Sequence, residues 1–418
     1  MRLDNGMTRF IGRTCLWLMV AWAAAVYVNQ VVHGLTVTNL SRPVYWGLYI
    51  TNFVFCVGLS AGGIVVSAIV HLLDRVEMRP LAIMAEIMAT LFLALAVAFV
   101  VVDMGRPTAL FEIVLHPQVR SPLLWDVTVI SVYGLLCVGL LYFSTREQIL
   151  RRGTGVLPGW LITALTLGRR SQAPASLARD HRILKVLALA SLPLAVALHS
   201  VTAWILGLQI SQPGWTPPIL APVFIASAIA SGVAAVTLAA IAARKVFSMP
   251  VSDDALRTLG SLLAVSIPLL SYLLLSEFLT VGLSGSPRET GILQDLLWGR
   301  FAPIFWFDAV VGLFLPLLVL ALPGRWTVQR IGAASTMVLI GVLAERAYLV
   351  LPSLLRVTGF APTGRYHPTY VEWSLMAGAY AAGTLLFLAA MDVVFGARRT
   401  PVTEVVGLVF PVQAAART

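Results

Sequence analysis

The residues best suited to chemistry in this sequence are ionisable side chains placed inside, or at the ends of, long apolar runs. Inside the runs are His199, Glu277, Glu345 and Arg346, and at their ends are Asp103, Asp126, Asp308 and Glu372. A charged side chain at the centre of a bilayer costs at least about 2.5–3.5 kcal/mol, so each is a functional candidate. A histidine can exchange a proton near neutral pH, and carboxylates can relay it.

Each candidate also has a structural interpretation that the sequence leaves open. His199 could be a core histidine that bonds a neighbouring carbonyl, and Glu345–Arg346 could be an ion pair that locks helices together. Asp103 begins the segment DMGRP, where an Asp–Arg pair could hold a turn. Glu86 stands alone toward the other end of its run, and we expect it to face lipid headgroups rather than to begin a proton route.

The runs that must position these residues have the length of transmembrane helices, for which about 20 apolar residues are needed. Ten such runs occur, at residues 11–33, 46–72, 81–103, 122–144, 185–209, 218–243, 257–283, 301–322, 327–352 and 370–395. The expected fold is an all-α polytopic membrane protein. At 1.5 Å per residue, Glu277 and Glu345 lie about 10 Å and His199 about 15 Å below one membrane surface. We therefore expect them and Arg346 to line one cavity, with Asp103 and Asp126 near its mouth.

The composition excludes a water-soluble protein. The 418 residues are 59% hydrophobic and 11% charged, with a mean hydropathy of +0.88, whereas soluble domains carry about 25% charged residues. The net charge of +10 does not indicate nucleic-acid binding, because the basic residues punctuate the apolar runs instead of clustering. The expected surroundings are therefore lipid, with no nucleic-acid partner.

The basic residues are unequally divided between the two sides of this topology. With the N-terminus in the cytoplasm, 21 Lys and Arg fall in cytoplasmic segments and 7 on the opposite side. Because cytoplasmic loops are enriched in Lys and Arg, we expect a multi-pass protein of the bacterial cytoplasmic membrane with both termini cytoplasmic. The longest loop, residues 145–184, is then cytoplasmic and basic. It either is solvated or lies on anionic headgroups.

Two short matches indicate an internal repeat. The fourth helix opens with PLLWD at 122–126 and the eighth with PIFWFD at 303–308, and Phe53–Ser60 and Phe224–Ser231 share one spacing. The partners lie four helices apart, which predicts two parallel four-helix bundles with two peripheral helices. The expected organisation is helix 1 with an outer loop (1–45), a first bundle (46–209), a second bundle (218–352), and helix 10 with a cytoplasmic tail (353–418).

Potential metal ligands are sparse. The three cysteines occur singly within apolar runs and form no CxxC pair, so we expect no iron–sulfur cluster or structural zinc in this chain. A b-type haem needs two axial histidines, but His33 lies near the outer membrane surface and His71 near the inner one, so they cannot share an iron. His199 with His33 is the pairing that the topology leaves open, and we expect no haem.

Several motifs, taken in order, resemble the NrfD/polysulfide reductase (PsrC-like) family of membrane subunits. In the first half the motifs are WGLYI (46–50), GLSAGG (58–63), DMGRP (103–107) and SPLLWD (121–126). The second half resembles the ten-helix branch found in alternative complex III and in DsrP-like and Hmc-like complexes. Its motifs are PLAVALHSVT (193–202), APVF (221–224), ERAYLVLP (345–352) and YHPTYVE (366–372). Asp308 departs from the pattern, since Glu is expected in the relatives.

The resemblance implies a quinone-interacting membrane protein within a respiratory-type oxidoreductase complex. Such a protein exchanges electrons between the quinone pool, menaquinone or ubiquinone, and an iron–sulfur protein docked on the outer (periplasmic) face. Catalytic or cytochrome subunits extend the chain of carriers, and proton translocation is a further expectation. With no redox centre of its own, the chain is not expected to act alone.

Under this interpretation His199 is the base that takes a proton from the quinol. The expected quinone-binding residues are His199, Glu277, Glu345 and Arg346, and the expected proton pathway comprises Asp103, Asp126, Glu277, Asp308 and Glu345. Two alternatives remain. The chain is a secondary transporter or ion-translocating protein that uses its buried acids, or it is a structural anchor without a quinone site.

Overall fold

The computed structural model describes residues 5–41, 44–152, 157–284, 286–356 and 366–395, and within them the secondary structure is entirely helical. Ten long helices, α1 to α10, follow in chain order. Their bounds are Asn5–His33, Leu48–Leu72, Arg79–Asp103, Pro122–Arg152, Pro174–Gly207, Leu220–Val246, Asp253–Leu283, Ala302–Ala321, Val328–Leu355 and Tyr370–Phe395. Each is long and apolar enough to cross a membrane. The expected all-α polytopic fold is confirmed.

The alternating direction of these helices defines two faces of the molecule. We call basic face the one that carries the start of α1 and the connections α2–α3, α4–α5, α6–α7 and α8–α9. The opposite face carries the remaining connections, which include the short helices Ala109–Leu115 and Pro287–Leu297. The ionisable residues of the sequence motifs lie mostly toward the opposite face.

The centre of the fold is the crossing of α2 and α6, which with α9 are the most buried helices. At the crossing, a Cβ atom built on Gly62 would lie 2.6 Å from the Cα of Gly232, so only glycine permits this approach. Small residues at such positions let transmembrane helices pack backbone to backbone. Both α5 and α9 pack against this central pair, which places their polar side chains beside the middle of the molecule.

Helices α1 and α10 pack on each other at the edge of the fold. The Trp22 indole donates to the Ser374 hydroxyl at 3.0 Å, and Arg13 pairs with Asp392 at 2.5 Å. Much of α1 is exposed and apolar, as expected for a helix in contact with lipid. The placement of these two helices outside two four-helix bundles remains a prediction, as does the repeat itself.

Helices α4 and α5 extend beyond their apolar runs into the basic loop expected at 145–184. The cause is a buried ion pair: Arg146 is 1% exposed, and its Nε donates to Asp180 Oδ2 at 2.6 Å. Arg169 adds a second hydrogen bond to Asp180 at 3.0 Å, and Arg146 also donates to the carbonyl of Ser171 at 2.9 Å. Part of this segment is therefore neither solvated nor on headgroups but folded onto the helix ends.

Helix α8 is interrupted by a π-helical segment, Asp308–Phe314, which continues into Leu315–Ala321. Pro316 follows the segment and has no N–H to donate to the carbonyl of Gly312, which weakens regular α-helical bonding at this point. Inside the segment, Gly312 lies against Gly341 of α9. π-Helical turns occur often at functional sites, and this one begins at a predicted site residue.

Candidate functional site

His199 lies on α5 and is 3% exposed. Its Nδ1 is 3.1 Å from the carbonyl oxygen of Ala195. Because a carbonyl can only accept, Nδ1 carries the proton, and in the neutral ring Nε2 is a free acceptor. Nε2 is buried and has no partner. The structural interpretation of His199 thus accounts for one ring nitrogen and leaves the other available to a ligand.

Arg346 lies on α9 with its guanidinium fully buried. The guanidinium stacks over the ring of Phe224 with 4.5 Å from Cζ to the ring centroid, and Nη1 donates to Glu345 Oε1 at 3.3 Å. Nε and Nη2 are buried without a partner. Arg346 interacts electrostatically with His199. The pair Glu345–Arg346 therefore exists, but it uses only part of the donor capacity of the arginine.

Glu345 and Glu277 line a small cavity of about 40 Å³ between α6, α7, α9 and the short helix Pro287–Leu297. Glu345 Oε2 accepts a hydrogen bond from Ser227 at 2.6 Å. Glu289 also lines the cavity and accepts from the backbone N–H of Gly214 at 2.8 Å. A water needs roughly 10–15 Å³ of such space, so the cavity has room for about three waters. His199 and Arg346 are not among its lining residues.

Asp308 begins the π-helical segment of α8 and is 2% exposed. Its Oδ2 accepts a hydrogen bond from the Tyr348 hydroxyl at 2.9 Å, and it interacts electrostatically with Glu345 and Arg346. Tyr348 lines the acidic cavity together with Glu277. The structure thus brings four of the predicted residues, Glu277, Asp308, Glu345 and Arg346, into one group on α7, α8 and α9.

Asp126 is joined to the helix that carries His199. The hydroxyl of Thr202 donates to Asp126 Oδ1 at 3.1 Å, and Thr202 also donates to the carbonyl of Leu198 at 2.9 Å. Thr202 follows His199 by one helical turn. Asp126 is therefore linked to the helix that carries His199, while its placement near the mouth of a site remains a prediction.

Asp103 lies apart from this group. It interacts electrostatically with Glu372 and with Tyr49, and its Oδ1 is buried without a partner. Glu372 accepts hydrogen bonds from the Tyr366 hydroxyl and from the backbone N–H of Thr369 at 2.9 Å. Burial raises the pKa of Tyr366 above its ordinary value, and the neighbouring Glu372 raises it further, so this phenol stays protonated. Asp103 and Glu372 thus belong to a second polar group where α2, α3 and α10 meet.

The expectation that Glu86 faces lipid headgroups is wrong. Glu86 is fully buried in α3, and its Oε1 binds the Nε2 of His71 at 2.8 Å and the hydroxyl of Ser67 at 2.5 Å. The sequence around Glu86 alone gives no sign of these partners. His71 and Ser67 lie one turn apart on α2, and the hairpin connection turns both of them toward α3.

Sequence reasoning missed several polar residues of the site. Tyr348 lies three residues after Glu345, so helical spacing could have placed it on the same face. Ser227 is one of two serines in an apolar helix and carries no comparable signal. Glu289 belongs to the short helix Pro287–Leu297. The packing of this helix over α7 brings Glu289 into the lining of the cavity, and the sequence does not show that packing.

Comparison with known proteins identifies the protein family that this chain resembles. The family described as "Polysulphide reductase, NrfD" matches residues 36–358. The chain is 31% identical over 403 residues to a putative membrane subunit of dimethyl sulfoxide reductase from Halobacterium salinarum, covering 91% of this chain and 90% of that protein.

Two further relatives align over most of both chains. A selenate reductase subunit of Mesobacillus selenatarsenatis is 25% identical, covering 90% of this chain and 92% of the relative. The Hdr-like menaquinol oxidoreductase integral membrane subunit of Archaeoglobus fulgidus is 22% identical, with 89% and 90% covered. All three are similar to this chain over nearly its whole length.

Proposed function

This chain belongs to the NrfD polysulphide reductase family, and we propose that it is the quinone-handling membrane subunit of a multi-subunit oxidoreductase. In this role it exchanges electrons between the membrane quinone pool and an iron–sulfur protein docked on the opposite face. The proposal rests on two residues at the centre of the fold whose buried nitrogen atoms have no hydrogen-bond partners.

The observation that carries the proposal is a set of three buried nitrogen atoms without partners: His199 Nε2, Arg346 Nε and Arg346 Nη2. An unsatisfied buried polar group costs about 1–3 kcal/mol, and more when it is charged. Both residues lie on helices that pack against the α2–α6 crossing, and each interacts electrostatically with the other. We propose that one ligand, with oxygen atoms on a flat, apolar ring, binds between the two residues and satisfies these nitrogens.

A quinone has this chemistry in both of its redox states. A quinone carbonyl accepts hydrogen bonds, and the guanidinium of Arg346 supplies two free donors. A quinol hydroxyl donates, and His199 Nε2 is a free acceptor that can take the proton. Oxidation of a quinol releases two electrons and two protons, and in this proposal neutral His199 takes one of the two protons at Nε2.

The electrons must leave through another polypeptide. Among the described residues no group of three or more His, Cys, Asp or Glu could hold a metal ion. We propose that the docked partner covers the connections of the opposite face, at about residues 104–121, 284–300 and 353–369, of which 285 and 357–365 lie outside the described residues. Menaquinone is the quinone type suggested by the name of the Archaeoglobus relative.

The protons are proposed to leave through the acidic cavity. Asp308, Glu345 and Glu277 form a series that ends at Glu289, in a connection of the opposite face. Waters in the cavity would join these carboxylates. Asp126 and Asp103 are proposed as further proton-carrying groups nearer the first half of the chain.

Ion translocation without quinone chemistry is the second candidate function, and the acidic cavity is the observation that favours it. A secondary transporter would work alone, whereas the proposed subunit should purify together with an iron–sulfur protein. A structural anchor without a quinone site would leave the three buried nitrogens of His199 and Arg346 without a purpose.

The experiment that tests the proposed function is quinol turnover by the purified complex carrying His199→Ala. We expect turnover to fall by about 10²–10⁴, which is the usual contribution of a general base, while the iron–sulfur partner remains bound. His33→Ala is the matched control, because His33 is an exposed histidine at the end of α1. An assembled His199→Ala complex with normal turnover would refute the assignment.

A further inference from the structure

The buried face of α2 carries polar side chains along its whole length. Tyr49, Asn52, Cys56, Ser60, Ser67 and His71 follow each other at intervals of three, four or seven residues. Such intervals place side chains on one face of a helix. Each of these residues is buried, so the stripe faces protein and not lipid. The half of the stripe nearer the basic face, which we call its lower half, is not part of the proposed quinone site.

The lower half of the stripe begins at the basic face with a titratable pair. His71 lies one residue before the end of α2, and its Nε2 is 2.8 Å from Glu86 Oε1, which Ser67 also approaches. The second oxygen of this carboxyl group, Oε2, is buried and has no partner. Glu86 therefore has one oxygen held in place by two hydrogen bonds and one oxygen without a partner.

Further side chains with exchangeable protons lie between Glu86 and the middle of the membrane. The Cys137 thiol on α4 interacts electrostatically with Glu86 and lies one turn from Tyr133. The Tyr133 hydroxyl is 3.2 Å from that of Ser60. Ser60 is the central residue of α2, about 18 Å from either end at 1.5 Å per residue. Exchangeable protons thus follow one line from the basic face to the membrane centre.

The entrance at the basic face is also polar. Asp74, in the α2–α3 connection, pairs with Lys185 at 2.5 Å and lies 3.4 Å from His181. The hydrogen bond from Lys185 lowers the pKa of Asp74 below its ordinary value, so this carboxylate stays charged one turn from His71. These charged and exposed side chains keep the end of α2 that carries His71 polar and close to water.

A second helical hairpin, α6–α7, is built without a carboxyl group at this position: the residue seven positions after the start of α7 is Gly260, packed on Trp326 and Ile331. Glu86 holds the same position in α3. Buried ion pairs are often no more stabilising than well-packed apolar residues. The pair therefore calls for a reason other than stability.

We propose that His71, Glu86, Cys137, Tyr133 and Ser60 form a proton path in the first bundle, through which the quinone site exchanges protons with the compartment at the basic face. This inference rests on the proposed quinone function. When the complex reduces quinone, protons taken up at the basic face pass from His71 to Glu86 and then through the thiol and hydroxyl groups to Ser60. The acidic cavity carries the protons that quinol oxidation releases. Asp126 continues the path, since it lies two helical turns, about 10 Å, from Tyr133 on α4.

The test uses the whole complex, oriented in proteoliposomes, with a pH indicator on the basic face. During quinone turnover by the wild type we expect a pH change at that face. Glu86→Gln should reduce this change at least about tenfold without altering the Kd for quinone, because Glu86 does not touch the proposed site. Glu77→Gln is the matched control, since Glu77 lies exposed in the same connection.

Two outcomes would overturn the proposal: turnover by the wild type without a pH change at the basic face, or a wild-type signal from assembled Glu86→Gln. If Glu86→Gln fails to assemble, Tyr133→Phe decides, because it removes one hydroxyl and leaves the His71–Glu86 pair intact. Its signal should fall severalfold, and an unchanged signal overturns the path. Failure of the quinone function itself is recognised separately, as absence of quinone binding by the wild type.

Discussion

The Glu345–Arg346 pair allows a structural role to be separated from a ligand-binding role by a double-mutant cycle. Arg346→Gln alone leaves Glu345, which is 1% exposed, with only the Ser227 hydroxyl as partner. Removing one member of a buried ion pair costs about 3–5 kcal/mol. We therefore expect a marked loss of thermal stability of the complex from this single change.

The double variant Glu345→Gln/Arg346→Gln removes both charges, so most of that stability should return. Quinone affinity should not return, because Arg346 Nε and Nη2 are lost as donors. Hydrogen bonds from a charged donor contribute about 1.5–3 kcal/mol, which corresponds to an increase in Kd of about 10- to 150-fold. Thermal unfolding and quinone titration of the same preparations measure the two effects independently.

Arg330→Gln is the matched control for this cycle. It removes an arginine of the same helix, α9, whose Nε donates to the carbonyl of Val319 at the basic face. Quinone affinity should be unchanged in this variant. A double variant of Glu345 and Arg346 that binds quinone with the wild-type Kd would refute Arg346 as a ligand-binding residue and leave it a purely structural role.

Three further predictions concern topology, cofactors and packing. Reporter fusions at residue 153 and after Thr418 should both report the cytoplasm, since basic residues predominate on that side; a periplasmic signal from either would contradict the orientation. The chain separated from its partners should contain no stoichiometric iron and show no haem absorbance, as measured by metal analysis and visible spectroscopy. Gly62→Ala should lower the thermal stability by about 1–3 kcal/mol through overpacking, whereas Gly12→Ala, with nothing within 4 Å of the added Cβ, should leave it unchanged.

The fold could be predicted from the sequence because the signal is simple. Apolar runs of about 20 residues separated by charged segments identify transmembrane helices whatever their packing. The helix ends were less predictable: the apolar run of the fourth helix ends at 144, but α4 continues to Arg152 because Arg146 finds Asp180. Such a partner, 34 residues away, is not visible in local hydropathy.

The candidate site was predictable in its residue types but not in its grouping. Depth along each helix was enough to select His199, Glu277 and Glu345, because ionisable groups within apolar runs are rare. Depth does not say which way a side chain points around the helix axis. Sequence reasoning therefore assigns Asp103 to the same site as these three residues, whereas in the folded chain Asp103 lies near Glu372.

The contact between Gly62 and Gly232 has a consequence for how the site responds to a change of charge. Neither residue has a side chain that could change rotamer, so the central helices meet without an adjustable part. His199 and Arg346 lie on helices braced against that contact. If quinone reacts at the proposed site, the helices that carry its polar groups have little freedom to shift when an electron or a proton arrives. A rigid frame of this kind keeps the reorganisation energy of charge transfer small, which is the advantage of preorganised polar surroundings.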